Sequence, residues 1–140
     1  MAATASGRIS SLKPAASVLD IIESSTCPPS SALRASAPEP NDGGWRFAFV
    51  AQGKHRNRRD VVHGGMLMAF ADRAMGLTAR RANHDQPQTT IQLGFQFIDA
   101  VQVGDLVEAR CEVVRRTRFI IFMSATLTVG GEPVGTATGI

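Results

Sequence analysis

Asn57-Arg-Arg-Asp-Val-Val-His63-Gly64-Gly65-Met-Leu-Met-Ala-Phe-Ala-Asp72 is the stretch on which the reading of this chain turns. It places an amide, an imidazole and two glycines at the mouth of an apolar helix that runs from Gly64 to about Ala82. That helix is apolar nearly all round, through Met66, Leu67, Met68, Ala69, Phe70, Ala71, Ala74, Met75 and Leu77, which predicts that other structure wraps it. Gly76 in its interior costs about 1 kcal/mol relative to Ala, so a close packing contact is expected there. Asp72 is the only acidic side chain between Val61 and Asn83. Burying a carboxylate costs on the order of several kcal/mol unless something compensates it, so a lone Asp among Met, Phe and Ala asks for a functional explanation. A structural acid capped by Arg73, Arg80 or a neighbouring strand is the alternative.

Strand patterns flank this helix. Before it, residues 45–51 alternate Trp45, Phe47 and Phe49 against Arg46 and Ala48. After it, residues 89–97 put Ile91, Leu93, Phe95 and Phe97 on one face and Thr90, Gln92, Gly94 and Gln96 on the other. Residues 106–114 and 119–129 read as long strands joined by an arginine-rich turn, and Gly130-Gly131 makes a tight turn into a last strand over 133–140. One buried helix followed by an antiparallel meander predicts an α+β fold, a curved sheet wrapped round a central helix. Nearer the start, residues 12–24 can carry a short helix that Pro28-Pro29 stops. A weak strand follows over 32–37, then a turn through Pro38, Pro40 and Asn41-Asp-Gly-Gly44. Residues 1–30 are therefore read as a partly flexible N-terminal segment and 31–140 as a single domain.

The 140 residues suffice for one core and not two. With 44% hydrophobic and 19% charged residues, wholesale disorder is excluded, and the apolar runs fall short of a membrane span. Cys27 and Cys111 are isolated, in no metal or disulfide spacing, which points to buried thiols in a reducing compartment. Residues 1–17 carry Ala, Ser, Arg8 and Lys13 but no acid. A frayed terminus is the expectation, an organelle transit peptide the alternative, and the cytoplasm the default location.

The net charge of +3 is clustered in Lys54-His55-Arg56-Asn57-Arg58-Arg59 and in Arg115-Arg116-Thr117-Arg118. Such clusters suit an anionic partner, or form a solvated loop. No aromatic is interleaved with either cluster, so a base-stacking surface for nucleic acid is not indicated. His55 and His84 are expected at the surface, and no His, Cys or carboxylate grouping has metal-ligand spacing, so no metal is expected. Met66, Met68 and Met75 read as core, with an adaptable apolar lining as the second use.

The chain resembles the hotdog-fold thioesterases, most closely the branch typified by phenylacetyl-CoA and related acyl-CoA thioesterases. The resemblance covers roughly residues 45–140. It rests on His63-Gly64-Gly65, on Asp72 in register after it, and on Asn57 six positions before His63. It implies an acyl-CoA thioesterase that needs no cofactor beyond the coenzyme A of its substrate. In that reading the backbone N–H of Gly64 or Gly65, at a helix N-terminus, meets the oxygen where negative charge develops, and glycine lets substrate approach. The family assigns that donor to the position of Gly64. Asn57 and His63 would position the thioester, and Asp72 would act as general base on water or as a nucleophile. Thr90 matches the hydroxyl that orients the water or the Asp, with Thr89 as the neighbour that a one-residue slip would substitute.

Gly64 and Asp72 lie eight residues apart on one helix, about 12 Å along its axis, too far to serve one carbonyl carbon. Two antiparallel copies solve this, and the resemblance implies two shared sites per homodimer and commonly a homotetramer. Gly65, Arg56, Arg58, Arg59, Arg115, Arg116 and Arg118 become candidate substrate contacts, the arginines toward the phosphates of coenzyme A. Thr117 departs from the glycine frequent at its position in the family, and a positive φ there would be strained. Two other classes stay open: a non-catalytic acyl-CoA binder, which would not need Asp72, and an enoyl-CoA hydratase, which would want a His soon after Asp72 where none occurs before His84.

Overall fold

The computed structural model describes residues 34–36 and 45–140. The expected helix over 12–24, Cys27 and the turn through Asn41-Asp-Gly-Gly44 lie outside the described residues. The elements are β1 (Arg34–Ser36), β2 (Trp45–Val50), α1 (Gly64–Ala82), β3 (Leu93–Phe97), β4 (Leu106–Arg116), β5 (Ile121–Val129) and β6 (Glu132–Gly139), with one 3-10 turn at Gly53–His55 between β2 and α1. All strands pair antiparallel in one six-stranded sheet of order β1-β2-β4-β5-β6-β3. This is the hotdog arrangement of a sheet laid round one long helix.

Helix α1 begins and ends where its residue pattern places it. Leu67, Phe70, Ala71, Ala74, Met75, Thr78 and Ala79 are buried, a stripe at helical spacing that faces the sheet. The one buried polar side chain in that stripe, Thr78, gives its hydroxyl proton to the Ala74 carbonyl at 2.9 Å. The opposite side is not wrapped: Gly65 and Ala69 are exposed, and Met68, Asp72 and Gly76 are only half-buried. That corrects two expectations. Asp72 is no fully buried acid within the protomer, and nothing lies within 4 Å of where a Gly76 Cβ would stand, so no packing contact explains that glycine.

Across the sheet, buried and exposed positions alternate as the pleat requires. Phe47 and Phe49 of β2 stand opposite Ala109 and Val107 of β4, and Ala109 faces Leu127 of β5. Small residues on β6 make room for large neighbours. A Cβ on Gly135 would meet the Phe95 ring at 2.6 Å, and one on Gly139 would come within 3.2 Å of Met75. Gly130 (φ 59°) and Gly131 (φ 92°) make the β5–β6 turn in the left-handed region, as their sequence predicts. In the β4–β5 turn Thr117 avoids a positive φ altogether. Its hydroxyl accepts the Ile120 N–H at 2.9 Å and donates to the Ile120 carbonyl at 3.0 Å, closing the turn without glycine.

Strand β3 starts four residues later than the alternation predicts, at Leu93 rather than 89. Alternation marks faces, but a strand also needs a neighbour, and β6 supplies one only from Gly135 to Gly139. Residues 91 and 92 are still tethered, through the Ile91 N–H to the Ile140 carbonyl at 2.7 Å and the Ile140 N–H to the Gln92 carbonyl at 3.0 Å. Ile91 is 75% exposed rather than on the core face. Among the described residues, no helix is long and apolar enough to cross a membrane.

Candidate active site

Asp72, midway along α1, lines a cleft of about 1080 Å³ together with Met75, Gly76, Gly139 and Ile140. The hydroxyl of Thr90 donates to Asp72 Oδ1 at 2.7 Å, so the Thr90 assignment carries a direct contact. Thr90 reaches it from the irregular segment before β3, not from a strand. Four arginines line the same cleft: Arg73, Arg80, Arg81 and Arg118. Only Arg118 was singled out by charge clustering. The other three are spaced along α1, where the sequence shows a helix face but not which cleft that face borders.

The remaining candidates gather elsewhere. Asn57, His63 and Gly64 line a second cleft of about 740 Å³ together with Gly53, Arg56, Arg58 and Arg59, and no residue lines both clefts. A small hairpin builds this second group. The Asn57 N–H donates to the Val61 carbonyl and the His63 N–H to the His55 carbonyl, each at 2.8 Å, with Arg56 and Val62 paired between them. Asp60, at φ 63°, makes the tip, a conformation that Asp tolerates better than most residues. Asn57 Oδ1 accepts the Arg59 N–H at 2.7 Å, which leaves the two protons of its Nδ2 to donate.

His63 caps α1. Its Nδ1 accepts the Gly65 N–H at 2.9 Å, which places the ring proton on Nε2 and leaves that N–H as a donor. The same bond commits the Gly65 amide to the cap, so of the two glycines Gly64 has the amide suited to substrate. As the first residue of the helix, it has no intrahelical acceptor for that N–H. The space where a Gly64 side chain would lie is filled by the ring of Phe97, 2.8 Å from the position of its Cβ. Glycine at 64 thus admits an aromatic wall beside the amide.

The proposed phosphate contacts divide. Arg58 and Arg59 line the second cleft, as does Arg56, which also makes an exposed ion pair with Asp60 at 3.3 Å. Arg118 lines the Asp72 cleft with its guanidinium 5.1 Å from the centre of the Phe119 ring, which is 85% exposed. Arg115 and Arg116 line neither cleft. Arg116 is engaged in closing α1, donating to the Ala82 carbonyl at 2.9 Å and to Asn83 Oδ1 at 2.8 Å. A cation on the last carbonyls of a helix answers both their unmet hydrogen bonds and the dipole, so these two contacts serve the end of α1.

His55, expected at the surface, is half-buried. Burial, with Lys54 adding to it, holds its imidazole below the usual histidine range. Burial pushes the Cys111 thiol up to about 12, against the opposing hydrogen bond with Thr78 and reinforced by Glu112, so it is no nucleophile near neutral pH. Among the described residues, no three His, Cys, Asp or Glu side chains come together in a way that could hold a metal ion.

A family model described as "Thioesterase superfamily" matches residues 60–136, more than half of the chain. The chain is 33% identical over 88 residues to "Putative esterase PA0474" of Pseudomonas aeruginosa, a match covering 62% of this chain and 66% of that protein. It thus spans just under two thirds of the length of that relative. Among solved structures, a "putative thioesterase, phenylacetic acid degradation-related protein" from Ralstonia eutropha JMP134 superposes with a TM-score of 0.69 at 27% identity, covering 75% of this chain and 80% of that one. A mutant of the phenylacetic acid degradation protein PaaI from Thermus thermophilus shares the fold at TM-score 0.69 and 24% identity, over 77% of this chain and 90% of that one.

Proposed function

The chain belongs to the thioesterase superfamily, and from that premise we propose that it hydrolyses acyl-CoA thioesters at sites shared between two antiparallel copies of itself. The observation that carries this reading is the division of the candidate residues between two clefts of one protomer. Asp72 and Thr90 lie in one cleft and the helix-start amide of Gly64, with Asn57 and His63, in the other, whose lining among the described residues holds no carboxylate. Laying two α1 helices antiparallel so that Gly64 of one copy opposes Asp72 of the other joins the halves twice over. The helix face left uncovered by the sheet suits that contact: Gly65, Met68, Ala69, Asp72 and Gly76 follow helical spacing and are mostly small. Strand β3, at the sheet's end, offers a further edge for pairing.

At such a site the thioester carbonyl oxygen lies against the Gly64 N–H, with Asn57 Nδ2 and His63 Nε2 as the other available donors. Asp72 removes a proton from water as the water oxygen bonds to the carbonyl carbon. The tetrahedral oxyanion collapses, the C–S bond breaks, and the coenzyme A thiolate takes up a proton. Alternatively Asp72 attacks directly to give a mixed anhydride that water then cleaves. Thr90 holds one carboxylate oxygen in place and leaves the other to react. Arg58, Arg59 and Arg118 bring positive charge to both sides of the composite cleft, suited to the phosphates of the leaving group. The Ralstonia eutropha relative makes aryl-acetyl esters a sensible first class of acyl group.

The test is free-thiol release from a panel of aryl- and fatty-acyl-CoA esters by the wild type, Asp72→Asn, Asn57→Ala and a co-refolded equal mixture of the two variants. Each variant alone is expected to lose at least about 100-fold, the usual contribution of an acid–base group or oxyanion-side donor. Random reassortment makes half the dimers mixed, each with one intact site, so the mixture should recover roughly a quarter of wild-type activity. A mixture as inactive as its parts would reject the shared site. Wild-type binding without turnover across the panel would make the chain an acyl-CoA binder.

A further inference from the structure

We infer that His55 is a positioning residue, holding the hairpin and helix start that aim the Gly64 amide and the Asn57 side chain at the substrate. The inference rests on the thioesterase reading for what is aimed, and on independent geometry for the aiming. The connection from β2 to α1 has to deliver Asn57, His63 and Gly64 to one cleft, and His55 fastens that connection at three points. Its Nδ1 accepts the Gln52 N–H at 3.1 Å, while its own N–H donates to the Gln52 carbonyl at 2.9 Å. Its carbonyl accepts the N–H of His63, the residue that caps α1 and orients Gly65. Its ring lies edge-on to Phe49, centroids 5.6 Å apart, and Phe49 is edge-on to Phe70 of α1 at 4.7 Å.

A continuous mechanical path therefore runs from the buried Phe70 through Phe49 and the imidazole to the helix cap. One end is core and the other is the oxyanion donor. The imidazole must be neutral to do this, because protonated Nδ1 has no lone pair for the Gln52 N–H. Its half-buried seat beside Phe49 and Lys54 favours that neutral form. Misplacing a catalytic group by about 1 Å can cost on the order of 100-fold in rate, so a residue that never meets substrate can still control turnover.

The experiment compares His55→Phe, which keeps a ring against Phe49 but removes the acceptor, with His55→Asn, whose Oδ1 can replace Nδ1. Steady-state kinetics on the preferred acyl-CoA is paired with amide NMR of His63, Gly64 and Gly65 in the full-length dimer. The expected result is a roughly 10- to 100-fold fall in kcat with little change in KM for His55→Phe, and recovery of most of that loss in His55→Asn. The three amide resonances should move in His55→Phe while those of β5 and β6 stay in place. Unchanged kcat in His55→Phe, or equal losses in both variants, would overturn the inference. Should the wild type prove to have no turnover, the thioesterase reading fails and the amides decide alone: movement supports the positioning role, and unmoved Gly64 rejects it.

Discussion

Replacing Thr90 with Val removes one proton donor and almost no volume, and its consequence can be worked from a single contact. The Thr90 hydroxyl donates to Asp72 Oδ1 at 2.7 Å, a length typical of a bond to a carboxylate. Hydrogen bonds to charged groups contribute about 1.5–3 kcal/mol. Thr90 is exposed in the protomer, so water can replace part of that, and about 1–2 kcal/mol is the fair share. If the bond serves to hold the reacting carboxylate, that energy enters the barrier, and 1.36 kcal/mol per decade makes it roughly a 5- to 30-fold fall in kcat. Thr90→Ser, which keeps the hydroxyl, should stay within about 2-fold of the wild type. The decisive arm is a double-mutant cycle, since in an Asp72→Asn background the hydroxyl has lost the charge it served. There Thr90→Val should change the residual rate by less than about 2-fold. An equal loss in both backgrounds, or a Ser variant as slow as the Val variant, would refute the claim that Thr90 acts through Asp72.

Arg116→Met tests the separation of structural from substrate-binding arginines. It should lower the stability by about 1 kcal/mol, or roughly 3–5 °C in Tm, by freeing the end of α1, and leave KM for acyl-CoA unchanged. A several-fold rise in KM at unchanged Tm would return Arg116 to the phosphate contacts. Cys111, in a Cys27→Ser chain, should give no colour with a disulfide thiol reagent at pH 8 in the native protein and one thiol in denaturant. With its thiol pushed up to about 12, the thiolate is scarce until the pH approaches that value. Rapid reaction of native Cys111 at pH 8 would contradict its burial.

Much of the fold was legible because its signals are short-range. Helix α1 is announced by His63-Gly64-Gly65 at its mouth and by a run of apolar residues, and strands β2, β4, β5 and β6 by alternation and by Gly130-Gly131. That Asn57, His63 and Gly64 gather in one cleft also falls within reach of linear reading, because a loop and the helix it opens keep neighbours in sequence close in space. Where the pattern counts composition without partners, it overreached. An apolar α1 implied a wrapped helix, yet the protomer's sheet covers one side and leaves Asp72 and Gly76 at a cleft. Alternation carried β3 back to 89, but pairing with β6 begins only at Leu93.

Other assignments depend on which distant groups meet. Thr90 lies 18 residues from the carboxylate it bonds, and Arg116 lies 34 from the carbonyl it caps. Charge clustering alone made Arg116 look like Arg118, although one closes a helix and the other borders the Asp72 cleft. His55 looked like a surface residue until Phe49 and the His63 cap were placed around it. The local periodicities, the glycine turns and the residue types of the site are properties of the chain itself. The occupants of each hydrogen bond, and the division of the candidate residues between two clefts, are decided by packing, because the sheet's strand order and the length of α1 set those distances and no local segment encodes them.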